Sequence, residues 1–239
     1  MKIMVVMAAP KGTLPPEMEQ RLAKTTEAYS SDGVEVVVGY PTESSGFVPR
    51  GGDAGIGAIG MARNHIIIAE RMMQAEAEGM DACIPYGMME FGVELARGRC
   101  KIPIVGQARA AYCLAALMVD RFGVITYNKN NQNGTWRQIR DQGFIGHVVG
   151  LDAAGMSTAE MWGRSPLLLE RFAEAGRRLV ADGAEAIVCH GMSMSPLEYS
   201  AAELGAAAGV PVLEGMGSAI ALALAWHRMG TPYSPLRYR

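Results

Sequence analysis

The chain contains two similar halves, and this repeat constrains its fold more than any other feature. The segment "ADGAEAIVCHGM" aligns without a gap on "AEGMDACIPYGM", 104 residues earlier. The shared positions are Gly79, Asp81, Gly87 and Met88, which recur as Gly183, Glu185, Gly191 and Met192. Three further pairs match in the same order: "KIMVVMAA" with "RFGVITYN", "VEVVVGY" with "GHVVGLD", and "KIPIVGQARAAYCLA" with "GVPVLEGMGSAIALA". Four ordered matches indicate an internal duplication.

Within each half, apolar runs of strand length alternate with segments of helix length. This alternation predicts an α/β fold with mostly parallel strands that are covered by helices on both faces. Two such lobes are expected to face each other across a cleft, with the carboxyl ends of the strands pointing into it. Ligands bind at these ends in open α/β sheets, so the cleft is the predicted active site.

Composition excludes several classes of function. Apolar residues make up 49% of the 239 positions, charged residues make up 19%, and the net charge is −2 without a basic run. These values argue against a nucleic-acid surface, and no apolar run reaches the length of a membrane span. The four cysteines lack paired spacing, which predicts a reduced, cytoplasmic protein without a zinc site. The four histidines lack ligand spacing, so no metal is expected.

The segment "PTESSGFVPRGGDAGIGAIG", residues 41–60, is rich in glycine, proline and serine. It is predicted to be a mobile loop that covers the cleft, where Arg50 pairs with an acidic substrate or is an ordinary surface arginine. Its end, "GIGAIG", matches the dinucleotide-binding pattern. That motif requires a strand directly before its first glycine, and a loop precedes it here, so a nicotinamide site is not favoured.

The repeated segments resemble the aspartate/glutamate/hydantoin racemase superfamily, which includes arylmalonate decarboxylase and maleate isomerase. The resemblance rests on "GMDACIPYGMMEFGVELARGRCKIPIVGQA", "RFGVITYN", "GAEAIVCHGMSM" and "GVPVLEG", and the hydantoin racemase branch is the most similar. It implies two Rossmann-like lobes with pseudo-twofold symmetry, formed by residues 1–106 with 217–239 and by residues 107–216. It also implies an enzyme without a metal or organic cofactor.

In the racemases of this superfamily, each lobe offers one cysteine at the end of its central strand. One thiolate removes a proton next to a carbonyl group, and the other thiol returns a proton to the opposite face. The ungapped alignment puts Gly87 and Gly191 at these two positions. A gapped alignment would put Cys189 at the second one. The ungapped form is preferred because it keeps the internal symmetry, and it predicts that this chain is not a two-cysteine racemase.

Other residues around the two glycines are therefore candidates for the chemistry. Gly87 and Gly191 predict close approach of a ligand to the backbone, with the Met88 and Met192 amides binding a carboxylate or an enolate; a plain tight turn is the alternative. Tyr86 and His190 precede the glycines and are candidate acid–base groups, although a regular strand turns their side chains to the opposite face. A packed histidine is the alternative for His190.

Further candidates follow the same strands. Glu90 matches an acidic position of the hydantoin branch and is a candidate base, or it caps a helix that follows. Thr126, Tyr127, Asn128 and Ser193 are predicted to bind substrate, although turns also favour asparagine and serine. Cys189 is expected to be a buried apolar residue rather than a nucleophile.

These observations predict an isomerase or lyase that acts on a small carboxylate or carbonyl compound through an enolate-like intermediate. Two alternatives stay open: a hydrolase that opens a small cyclic amide or lactone, and a non-catalytic sensor. The predicted partner is a small carboxylate or cyclic amide, with no nucleic acid and no membrane. The alanine-rich helix predicted at residues 201–208 suits a homo-oligomer.

Overall fold

The computed structural model describes residues 1–46 and 57–238 of the chain. These residues form two compact units, which are called unit 1 (1–46, 57–107 and 219–238) and unit 2 (108–218). Arg50 and half of the loop that was predicted to be mobile, residues 47–56, lie outside the described residues. These include the first two residues of "GIGAIG". The remaining four residues of that motif form the start of a helix.

Unit 1 contains a parallel sheet of three strands in the order β2-β1-β3. Its elements are β1 (Lys2–Val6), α1 (Pro16–Glu27), β2 (Glu35–Gly39), α2 (Gly57–Ala77), β3 (Ala82–Pro85) and α3 (Val93–Arg97). All four residues of β3 are buried, as is typical of a parallel strand covered on both faces. The sheet side of α2 contributes Ile68, Ala69 and Met72 to the core.

Unit 2 contains a parallel sheet of four strands in the order β5-β4-β6-β7. Its elements are α4 (Gln107–Met118), whose first residue belongs to unit 1, β4 (Phe122–Thr126), α5 (Gln132–Asp141), β5 (Val148–Ala153), α6 (Thr158–Met161), α7 (Pro166–Ala181), β6 (Ala186–Cys189), α8 (Ala201–Ala208) and β7 (Val212–Glu214). The last helix, α9 (Gly215–Met229), begins in unit 2 and belongs to unit 1 from Ala219 onwards. A π-helical segment, Ser193–Glu198, follows β6. The predicted α/β fold with parallel strands is confirmed.

The chain after β3 in unit 1 returns to the sheet through Ile104, which forms a parallel bridge with Cys83. Two side chains form hydrogen bonds with the backbone of Ile104 on the outer side of this segment. The Tyr233 hydroxyl accepts a hydrogen bond from the Ile104 amide, and Arg97 Nε donates to the Ile104 carbonyl over 3.0 Å. The backbone that leads to Gly106 is therefore held on both sides.

Candidate functional site

The strands β3 and β6 have the same length, and their bounds differ by 104 residues. Gly87 and Gly191 therefore stand at the same distance from the end of their strands. This equality supports the ungapped alignment of the two halves, because a gap at Cys189 would give strands of unequal length.

Gly87 is required by its backbone conformation. Its φ is +102°, a value that side-chain-bearing residues rarely adopt. A Cβ at this position would meet no atom within 4 Å, so the constraint comes from the backbone rather than from packing. The Gly87 carbonyl accepts a hydrogen bond from the Glu90 amide at 3.3 Å, which closes the turn after β3.

Gly191 is required by packing instead. Its φ is not positive, but a Cβ would lie 2.7 Å from Cε1 and Cζ of Tyr127 and 2.8 Å from Cε of Met194. Such distances essentially never occur for real Cβ atoms. The Tyr127 ring therefore fills the space that a cysteine side chain at this position would enter.

Tyr127 also presents its hydroxyl to the same turn. The hydroxyl accepts a hydrogen bond from the Ser193 amide at 3.0 Å. Burial raises the pKa of Tyr127, although hydrogen bonds from Ser193 act in the opposite direction, so the phenol keeps its proton at neutral pH. The Met192 amide follows Gly191 directly in this turn, and Met192 is buried. The turn thus combines a protonated phenol with a main-chain donor.

His190 faces a different set of groups. Its side chain is 8% exposed, and its ring stacks on Tyr112 with 6.3 Å between the ring centroids. Nε2 lies 3.0 Å from Oε1 of Gln138. Burial lowers the pKa of His190 from 6.5 to about 4, so the imidazole is neutral at pH 7. These contacts favour the packed histidine over an acid–base group, and its catalytic role stays a prediction.

Tyr86 and Met88 flank Gly87 in unit 1. Tyr86 is half-buried, and its amide donates to the Val6 carbonyl at 2.7 Å, which extends the pairing of β1 and β3 by one bond. Met88 is buried, with 4% of its surface exposed. The roles predicted for both residues stay predictions.

Glu90 has two unusual features. Its φ is +54°, one of two positive values among the described non-glycine residues, and such strain is often kept at functional sites. Its carboxylate lies against Gly106 and occupies the position that a Cβ there would take. Gly106 therefore makes room for the Glu90 carboxylate beside the start of α4. The helix that follows Glu90, α3, has Gly92 as its N-cap and no side-chain cap bond, so Glu90 does not cap it. Its role as a base stays a prediction.

The two polar residues that flank Tyr127 form hydrogen bonds to the backbone of the turn that contains them. Thr126 is fully buried, and its hydroxyl donates to the Asn128 carbonyl at 3.0 Å. The Asn128 side chain accepts from the Asn130 amide at 3.0 Å, which starts a short 3-10 helix. The substrate-binding roles predicted for Thr126 and Asn128 stay predictions, whereas Ser193 lies beside Tyr127.

Three of the four cysteines, Cys83, Cys100 and Cys189, are buried. Burial raises the pKa of Cys83 and of Cys100 to about 12, and it raises the pKa of Cys189 strongly. A thiol with a raised pKa forms little of the reactive thiolate at neutral pH. Cys113 is exposed on α4. Cys189 belongs to the apolar core of unit 2, as its sequence position predicted.

Two residues were missed by the sequence reasoning. Glu214 aligns with Gly106 in the repeat, and its carboxylate accepts from the amides of Met216 and Gly217, each at 2.6 Å. The alignment of "GVPVLEG" with "KIPIVGQ" contained this signal. His65 on α2 accepts from the Gly92 amide at 3.0 Å, and nothing in the sequence pointed to it.

Within residues 1–46 and 57–238, no group of three or more histidine, cysteine, aspartate or glutamate residues is arranged to hold a metal ion. No helix in the same part of the chain has the length and apolarity needed to cross a membrane.

A family model and two curated relatives all match this chain to the hydantoin racemases or their family. The family model "Asp/Glu/Hydantoin racemase" matches residues 48–223, well over half of the chain. A hydantoin racemase of Rhizobium meliloti is 31% identical over 186 residues, which cover 77% of this chain and 72% of the relative. A hydantoin racemase of a Pseudomonas species, strain NS671, is 27% identical over 173 residues, covering 71% and 68%.

Solved structures agree with the fold. An allantoin racemase from Pseudomonas fluorescens has a TM-score of 0.82 at 23% identity and covers 99% of this chain and 95% of its own. An allantoin racemase from Klebsiella pneumoniae has a TM-score of 0.81 at 21% identity, covering 100% and 93%. An arylmalonate decarboxylase has a TM-score of 0.61 at 12% identity, covering 100% and 98%. At these identities the likeness shows the fold.

Proposed function

The chain belongs to the Asp/Glu/hydantoin racemase family and is an isomerase- or lyase-type enzyme, and from this premise we propose that it transfers a proton, or cleaves a carbon–carbon bond, next to a carbonyl group. The substrate is a small carboxylate or carbonyl compound, and the reaction uses no metal or organic cofactor. The intermediate is an enolate.

The observation that carries this proposal is the fit of the two turns to glycine. Gly87 has a backbone conformation that disfavours any side chain, and the Tyr127 ring fills the space beside Gly191. Neither position carries a thiol, and the buried cysteines have raised pKa values. A two-thiol exchange of protons therefore lacks both of its groups, and side chains other than cysteine are assigned to the chemistry.

Glu90 is assigned as the base. Its carboxylate accepts the proton from the carbon next to the carbonyl group, and the electron pair of the broken C–H bond moves to the carbonyl oxygen. The positive φ of Glu90 supports the assignment, because strained residues persist where function retains them. Protonation of the enolate carbon on the opposite face by solvent water completes an isomerisation, and the proton held by Glu90 passes to the hydroxide that is left. In a lyase reaction, loss of carbon dioxide from a carboxylated carbon generates the same enolate, which is then protonated.

Tyr127 and the Met192 amide are assigned to the oxyanion. A buried phenol that keeps its proton, together with a main-chain N–H, stabilises negative charge that develops on a carbonyl oxygen. Ser193 orients the phenol through its amide. These groups belong to unit 2 and Glu90 belongs to unit 1, and each assignment rests on the contacts within its own unit.

The relatives suggest the first compounds to test. The curated relatives are hydantoin racemases, and the structural neighbours include allantoin racemases and arylmalonate decarboxylase. Single enantiomers of C5-substituted hydantoins and of allantoin, and prochiral arylmalonates, are incubated with the protein in D2O. Deuterium on the carbon next to the carbonyl group is expected with at least one of them, at a rate above that without enzyme.

The same incubation in H2(18)O separates the alternatives. Labelled oxygen in a ring-opened product, without deuterium on carbon, would establish the hydrolase instead. If the protein binds one of these compounds but catalyses neither exchange, the sensor function would replace the proposed enzyme. Catalysis of carbon exchange by wild type but not by Glu90→Gln supports both the reaction and the assigned base.

A further inference from the structure

We propose that His65 is a positioning residue that holds the Glu90 carboxylate in place through the turn Glu90–Gly92. This role rests on the proposed function of Glu90. His65 lies on α2, one helix away from the turn after β3, and its contacts are all within unit 1. It acts on the reaction through the backbone rather than through contact with substrate.

The link is a hydrogen bond from the main chain of the turn to the imidazole. The Gly92 amide donates to Nδ1 of His65 at 3.0 Å, so Nδ1 is the acceptor and the neutral ring carries its proton on Nε2. Burial lowers the pKa of His65, which favours this neutral form. The His65 ring also meets the Phe91 ring edge-on, with 5.2 Å between centroids and an angle of 77°.

The turn lies directly on the backbone of α2. Gly92 has a φ of +76°, and a Cβ there would lie 2.6 Å from the Ala69 nitrogen and 2.8 Å from the His65 carbonyl oxygen. Phe91 is 2% exposed and belongs to the same core as Ala69. Phe91 and Gly92, the two residues after Glu90, therefore pack closely on α2, and Gly92 is also hydrogen-bonded to the His65 imidazole.

The hydrogen bonds inside the turn are long by comparison. The Glu90 amide lies 3.3 Å from the Gly87 carbonyl, and the Val93 amide lies 3.4 Å from the Glu90 carbonyl. Both exceed the usual length of about 2.9–3.0 Å for an N–H···O bond. Glu90 thus has a strained conformation and long hydrogen bonds within the turn, and the contact between Gly92 and His65 anchors the chain directly after it.

Three variants test this role. His65→Phe keeps a ring against Phe91 but loses the acceptor, whereas His65→Asn keeps an acceptor oxygen. The matched control is His147→Phe in unit 2, where Nδ1 lies 3.1 Å from the Asp120 carbonyl and the ring stacks on Phe122. Each protein is measured for kcat and KM on the compound that gives carbon exchange, and for amide hydrogen exchange of a peptide covering residues 86–93.

His65→Phe is expected to lower kcat about 10-fold with KM within about twofold of wild type, since small displacements of a reacting group reduce the rate strongly. It should also speed amide exchange in residues 86–93. His65→Asn should restore kcat to within about threefold, and His147→Phe should leave kcat and this peptide unchanged.

Two outcomes would overturn the role of His65. Unchanged amide exchange in His65→Phe would show that the imidazole does not hold the turn, whatever the substrate. Faster exchange with unchanged kcat would reduce His65 to a structural residue, provided that Glu90→Gln is inactive. Failure of the proposed function is distinct, because Glu90→Gln would then be as active as wild type.

Discussion

The turns after β3 and β6 descend from the same repeat, yet they exclude a side chain for different physical reasons. At Gly87 the backbone has a φ of +102° and the space beyond is open. At Gly191 the backbone is ordinary and the Tyr127 ring fills the space. Equivalent glycines therefore do not imply equivalent surroundings, and each unit excludes a side chain at this position for its own physical reason.

The same contrast applies to the carboxylates of the two units. Gly106 and Glu214 are equivalent in the repeat. In unit 2 the carboxylate belongs to Glu214 itself and binds the amides of Met216 and Gly217 at the start of α9. In unit 1 the carboxylate comes from Glu90 and lies against Gly106 at the start of α4. The bonds of Glu214 are those of a helix cap, whereas Glu90 is held in a strained turn.

The largest expected effect separates these two carboxylates. Glu90→Gln removes the proposed base and is expected to lower kcat/KM by about 10²–10⁴, the usual contribution of a general base. Glu214→Gln weakens a helix cap and is expected to lower the free energy of unfolding by about 1 kcal/mol while changing kcat/KM less than threefold. Steady-state kinetics and urea unfolding of both variants measure the contrast. Equal losses of activity would show that both carboxylates have the same role.

The second prediction concerns His190, the residue before Gly191. Burial lowers the folded pKa of His190 to about 4, so the folded state binds fewer protons than the unfolded state below pH 6.5. The stability that His190 contributes is present above pH 6.5 and is lost as the pH falls towards 4, by about 3 kcal/mol in total. Urea unfolding from pH 7 to 4 should therefore show a shallower decline in His190→Gln.

His227→Gln, at an exposed position of α9, is the control and should decline as wild type does. Equal slopes for wild type and His190→Gln would contradict the buried, neutral imidazole. A loss of kcat in His190→Gln as large as that in Glu90→Gln would restore the catalytic role predicted from the sequence and make the two turns functionally alike.

The smallest expected effect distinguishes the packing constraint at Gly191 from the backbone constraint at Gly87. Gly191→Ala should lower the free energy of unfolding by about 1–3 kcal/mol through overpacking against Tyr127. Gly87→Ala should cost about 1–3 kcal/mol through its backbone conformation. Thermal and urea unfolding measure both.

Adding Tyr127→Ala is the discriminating step. The cost of Gly191→Ala should largely vanish in the Tyr127→Ala background, because the ring is gone and the flexible end of Met194 can move into the space that it leaves. The cost of Gly87→Ala should be the same in both backgrounds. Additive costs at Gly191 would mean that the Tyr127 ring is not what excludes a side chain there.

Most of the fold could be predicted from the sequence. The alternation of apolar runs and helix-length segments is local in the chain, and it indicated parallel strands that the structure contains in both units. The offset of 104 residues predicted strand ends that agree to the residue, since β3 ends at Pro85 and β6 at Cys189. Residues 47–56 lie outside this comparison.

The sequence by itself thus determined the fold class, the repeat and the two glycine positions, because each depends on residue type and spacing along the chain. The tertiary structure decided which group lies beside each glycine. Tyr127 is 64 residues from Gly191, and His65 is 27 residues from Gly92, yet both pairs are in direct contact. Such contacts depend on how helices and turns pack on the sheet. The same packing separates a buried, neutral His190 from the exposed histidine at position 227, a difference that residue type does not contain.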